Sequence, residues 1–129
     1  MTILRYTASA DTTITNAFNA SLIAAQRGTG SNMGYADSLA VFSIYGQTSS
    51  SADGQSQELS RILIKFPVAT IAADRAAATI PASGNVSFYL KLHNAETPFT
   101  LPQDFNLVVA PVSRSWTEGD GLDMDEYKD

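Results

Sequence analysis

Cysteine is absent from the 129 residues, which removes disulfides and thiolate metal sites at once. Histidine and tryptophan each occur once, as His93 and Trp116. A lone imidazole with no nucleophile marked out beside it makes a poor general base, so His93 reads as an ordinary strand residue. Neither a Gly-x-Ser-x-Gly elbow nor a Walker loop occurs. Gly28-Thr29-Gly30 is too short and leads into no helix, which argues against a phosphate cradle. No stretch approaches the roughly 18 apolar residues of a membrane-spanning helix, so no membrane partner is expected.

Clustered positive charge is also missing. Arg5, Arg27, Arg61, Lys65, Arg75, Lys91, Arg114 and Lys128 are scattered along a chain of net charge -5. Nucleic-acid surfaces gather such residues to neutralise phosphates, so no nucleic-acid partner is expected. Six of the thirteen acidic residues fall within positions 118–129, and the rest of the chain is close to neutral. Met1 to Thr7 alternates apolar and polar side chains with no basic and apolar leader pattern, and reads as a strand rather than a signal peptide. Synthesis in the cytoplasm follows as the expectation, with an extracellular place only if the chain is a fragment of a longer protein.

What remains is strand and turn. Val86 to His93 sets Val86, Phe88, Leu90 and Leu92 on one face and polar residues on the other, the mark of a half-buried antiparallel strand. Arg61 to Phe66 alternates likewise, with Ile62, Ile64 and Phe66 inward, and Pro67 stops it by removing a backbone donor. Leu39 to Tyr45 and Phe105 to Val109 are of strand length, and Thr12 to Asn16 is a weaker run. Turn-rich segments separate them: Arg27 to Gly34, the serine-rich Gly46 to Gln57, and Pro81 to Asn85. The alanine-rich Val68 to Thr79 is the best helix, with high propensity and little volume to bury. A single all-β domain over 1–129 follows, an antiparallel jelly-roll β-sandwich with one short helical insert and an acidic terminal segment at 118–129.

Five segments, in order, resemble the DNRLRE domain family of jelly-roll β-sandwiches found on bacterial and archaeal surface proteins and in phage proteins. They are Ala10-Asp11-Thr12-Thr13-Ile14, then Gly30-Ser31-Asn32-Met33-Gly34 leading into Leu39-Ala40-Val41, then Arg61 to Phe66 with Ile71. Asn85 to Leu92 and Val112-Ser113-Arg114-Ser115-Trp116-Thr117-Glu118-Gly119 complete the match. Family members continue past the tryptophan segment with at least two more strands, whereas ten residues follow Gly119 here. The resemblance therefore implies a sandwich lacking its last strands, with an open sheet edge for a protein partner or a further copy of the chain to complete. Some members resemble carbohydrate-binding modules, and no motif here carries a ligand site over.

Candidate site residues are few. Asp120, Asp123 and Asp125 lie in a glycine-containing acidic run that suits a calcium ion, although their spacing does not fit an EF-hand and a solvated loop is the plainer reading. Asp11, Asp37, Glu58 and Glu96 are the carboxylates from which a glycosidase pair would have to come. Tyr35, Tyr45, Tyr89 and Trp116 are the aromatics available for stacking a sugar, with Trp116 read first as a core or rim residue. The expected function is that of a non-enzymatic structural or interaction module, a bacteriophage virion component such as a capsid decoration, neck, tail or fibre protein. A carbohydrate-binding module with a glycan partner is the alternative.

Overall fold

The structure, a computed structural model, describes residues 3–17, 31–44, 58–81, 84–96, 98, 100 and 104–122. They form three strands and one helix: β1 (Ala10–Thr15), β2 (Ser43–Ile44), β3 (Glu58–Lys65) and α1 (Val68–Ala76). The strands make one antiparallel sheet in the order β1-β3-β2. This is a mainly non-helical arrangement with β3 at its centre.

β-Branched residues dominate the main pairing, as expected of half-buried pleated surface. β1 contributes Thr12, Thr13, Ile14 and Thr15, and β3 contributes Ile62 and Ile64. Ala10 lies opposite Lys65, Thr13 opposite Ile62 and Thr15 opposite Ser60. Along β3, Arg61 and Lys65 are exposed while Ile62, Leu63 and Ile64 are half-buried. The predicted strand at Arg61–Phe66 is therefore present, beginning three residues earlier and ending one residue earlier, and Glu58 at its start is buried.

On β1 the usual order is inverted. Thr12 and Thr13 are buried, and Ile14 is exposed. Consecutive strand residues point to opposite faces, so burial of both threonines means that the sheet is covered on both sides at this point. One cover is the segment before β2, whose Ala40 N–H donates to Thr13 Oγ1 at 3.0 Å. The predicted strand from Leu39 to Tyr45 is reduced to Ser43–Ile44, and a serine extends the pairing. Ser60 Oγ accepts from Phe42 N–H at 2.7 Å and donates to the Ala40 carbonyl at 2.8 Å. A β3 side chain thus stands in for ladder hydrogen bonds that the backbone does not make.

α1 starts directly after Pro67, where a fixed φ suits the entry to a helix. It ends three residues before the predicted Thr79. Ala78 turns into the left-handed region at φ 58, and the Thr79 and Ile80 N–H groups both close on the Asp74 carbonyl. This turn seats Ile80, which with Met33 is one of two buried apolar side chains among the described residues. Tyr6 ties the entering chain to the helix by donating to Asp74 Oδ2 at 2.5 Å. No strand forms at residues 3–7, the described part of the strand expected over Met1 to Thr7.

That phenol makes stability pH-dependent. The hydrogen bond to Asp74 comes first among the causes that raise the Tyr6 pKa above the usual value of 10.0, followed by desolvation and the Asp74 charge. A group with its folded pKa raised stabilises fully below the unfolded pKa and loses that contribution as pH climbs through the folded one. Urea midpoints should therefore fall above pH 10 in the wild type, and Tyr6→Phe should remove that part of the slope. An unchanged alkaline slope in Tyr6→Phe would show the contact to be energetically idle.

Two further predicted strands are not formed. Residues 86–96 and 104–113 belong to no strand in the structure. Their alternation suits a strand, but a ladder needs a neighbour with which to exchange backbone hydrogen bonds. Their apolar side chains stand in solvent, Tyr89 at 87% and Val108 at 92% exposure, with Phe88, Leu90, Leu92, Phe105, Leu107, Val109 and Val112 also exposed. The serine-rich segment Gly46–Gln57 and the Gly28-Thr29-Gly30 turn lie outside the described residues.

Candidate functional site

The tryptophan segment is fastened to residues 32–35 and, through Glu118, to β1, mainly by side chains rather than by a ladder. Asn32 does most of the fastening. Its Oδ1 accepts from the N–H groups of Asp120 at 2.8 Å and Gly121 at 2.9 Å. Its Nδ2 donates to Asp120 Oδ1 at 2.8 Å. An amide that receives two consecutive N–H groups while giving one satisfies polar groups a loop would otherwise leave to water. The Tyr35 N–H then donates to the Gly121 carbonyl at 2.9 Å. On the other side, Glu118 Oε1 accepts from the Asp11 N–H at 2.9 Å.

This last contact lies on the edge of β1. Asn16 N–H donates to the Leu59 carbonyl in the same register that pairs Thr15 with Ser60, so even-numbered residues of β1 direct their backbone groups to β3. Asp11 therefore directs its N–H outward. Glu118 occupies that outward position, so the β1 edge is partly capped by the chain's own acidic segment. The capping explains three glycines. A Cβ on Gly34 would overlap the Gly119 carbonyl, one on Gly119 would overlap Asn32 Oδ1, and one on Gly121 would come within 2.8 Å of the Asn32 carbonyl oxygen. Gly119 also has φ 91, a conformation that side chains disfavour.

Between these parts lies a cleft of about 430 Å³, walled by Thr12–Ile14, Ser31–Asn32 and Thr117–Asp120. Its volume falls within the range of small-molecule sites. The wall carries hydroxyls, one amide and two carboxylates, and no imidazole or amine. Ser31 Oγ is enclosed and makes no hydrogen bond. Such a wall can bind hydroxyls or water. It holds no nucleophile paired with a base.

The sequence candidates distribute unevenly over this geometry. Asp120 is in the cleft wall, with its carboxylate already bonded to Asn32. Asp123 and Asp125 lie outside the described residues, and among the described residues no group of three acidic, histidine or cysteine side chains is placed to hold a cation. Asp11 lies opposite Ile64, while Glu58 begins the same strand six residues earlier. At about 3.4 Å per residue that is roughly 20 Å, too far for the ~5–9.5 Å of a glycosidase pair. Asp37, Glu96 and His93 are exposed. Of the aromatics, Tyr35 is 68% exposed beside the Gly121 contact, Tyr89 stands in solvent, Trp116 is half-buried and Tyr45 is not described.

Asn32 and Glu118 hold the site together. Asn32 is legible only as a turn residue within Gly30–Gly34, and Glu118 only as part of the tryptophan segment and the first residue of the acidic run 118–129. No family model, curated protein or solved structure matches the chain.

Proposed function

We propose that the protein is a non-enzymatic interaction module that works by assembly, a structural component of a bacteriophage particle. The observation that carries this reading is the pair of apolar, strand-patterned segments, 86–96 and 104–113, that belong to no strand and leave their side chains in solvent. Monomeric soluble proteins rarely expose apolar surface so contiguously, and where they do it marks contact with another macromolecule. In this reading the three-stranded sheet is the nucleus of a jelly-roll sandwich of the DNRLRE kind, and assembly supplies the remaining strand pairing. Detection of the protein by mass spectrometry in gradient-purified particles, at a fixed ratio to the major capsid protein, tests it. Absence from particles that contain every other structural component would count against it.

The cleft supports a second reading. Its hydroxyl and carboxylate wall and the exposed Tyr35 next to the fastening contacts suit a glycan. A glycan array with the intact chain should then show saturable binding that is lost in Tyr35→Ala. Silence across the array removes the reading.

A further inference from the structure

β3 is eight residues long and β2 only two, so β2 leaves most of β3 without a neighbour on its side. The Ser60 N–H reaches the Phe42 carbonyl. Beyond it, among the described residues, no strand runs beside β3 on that side. Leu59 and Lys65 direct backbone groups to the β1 side, so Ile62 and Ile64 direct theirs to the uncovered one. A row of unpaired donors and acceptors along a central strand is a template for another strand.

Residues 104–109 have the matching character. Phe105, Leu107 and Val109 fall on one face of an extended chain and Val108 on the other, and all four are exposed. Asp104 and Asn106 share the face of Val108, so the segment alternates as a strand with one fully apolar face does. Pro111 ends it, since proline cannot continue a ladder. The only charge in the segment is Asp104, opposite in sign to Arg61 and Lys65, the exposed side chains of β3. Residues 86–92 match less well, because Lys91 would meet those two cations.

We propose that the occupant of the β3 edge is a second copy of this chain: residues 104–109 of each copy add as a strand beside Ile62 and Ile64 of the other. The inference rests on the assembly reading above and names its partner. Enclosing the exposed side chains of 105–109 removes on the order of 500 Å² from water per copy, given that an aromatic alone buries 150–250 Å². Reciprocal exchange doubles this. With the matching area of two acceptor edges the total reaches on the order of 2,000 Å², at the upper end of the range for a stable specific interface.

Sedimentation velocity and amide exchange on the full chain, over a wide concentration range, test the proposal. A dimer is expected, with amides 105–109 protected in proportion to the dimer fraction. Val108→Asp should weaken self-association by about tenfold or more, ~1.4 kcal/mol, while leaving each copy's circular dichroism unchanged, because Val108 is 92% exposed and on no strand within one copy. Asp104→Lys should weaken association too, and Arg61→Glu with Lys65→Glu should restore it. A monodisperse monomer with 105–109 protected would overturn the proposal, since the segment would then pair within its own chain. So would a dimer indifferent to Val108→Asp. A monomeric chain that is nonetheless found in particles would sink the second copy and leave the assembly reading standing, whereas a dimer absent from particles would do the reverse.

Discussion

Gly34→Ala should lower the unfolding free energy by about 3 kcal/mol, measured by urea denaturation, the largest single effect expected in the described residues. The new methyl would overlap the Gly119 carbonyl, which is backbone and has no rotamer by which to escape. One of the two segments must move, and its movement stretches the contacts from Asn32 to Asp120 and Gly121 and from Tyr35 to Gly121. Two comparisons isolate the cause. Gly84→Ala, at φ 104 with nothing within 4 Å of the added carbon, should cost only the backbone preference, about 1 kcal/mol. Asn32→Ala should cost about 1 kcal/mol, because the Gly121 N–H loses its acceptor in a half-buried place while water can take over at the exposed Asp120 N–H. The double variant Gly34→Ala, Asn32→Ala should fall well short of the sum, because both changes undo one set of contacts. Full additivity would show that Asn32 and Gly34 act independently.

Ser60→Ala should cost about 2 kcal/mol, and locally rather than everywhere. The hydroxyl both accepts from Phe42 and donates to Ala40, so its removal leaves one N–H and one C=O unmade in a half-buried place. The Ser60 N–H to the Phe42 carbonyl survives, so β2 should loosen without being lost. Amide exchange at Phe42 should accelerate by roughly thirtyfold, the factor that corresponds to 2 kcal/mol, while amides of the β1–β3 ladder slow or quicken little. Ser60→Thr keeps the oxygen and adds a β-branched methyl, and should restore most of the protection. If Phe42 exchanges at the wild-type rate in Ser60→Ala, the side chain is not what holds residues 40–42.

These two sites were illegible in the sequence, and for the same reason. β3 could be found from the alternation of Arg61 to Phe66, α1 from its alanines, and β1 in part from its threonines, because each pattern is local. Segments 86–93 and 105–109 carry equally good patterns but lack neighbours in the structure; alternation reports a face and says nothing of a partner. Asn32 meets Asp120 across 88 positions, and Asp11 meets Glu118 across 107. No local signal encodes such a meeting. Ser115–Gly119 could be singled out as a segment, yet its contribution comes from a carboxylate and a glycine rather than from the indole. On β1 the burial of Thr12 and Thr13 and the exposure of Ile14 reverse the order that hydropathy alone would assign.

The bond between Asp11 and Glu118 also sets an order of events on the ribosome. With 107 residues between its partners, and synthesis at roughly 5–20 residues per second, the outer side of β1 waits on the order of 5–20 s for its cap. β3 is complete only at Lys65, so the first sheet can be paired with the outer side of β1 still bare for roughly the second half of that interval, on the order of 3–10 s. Contacts of such long range also make closure slow, because the loop must lose its freedom before the contact gives anything back. The acidic segment therefore reaches β1 late, and until it does the outer backbone groups of the first strand can be satisfied only by water or by another strand.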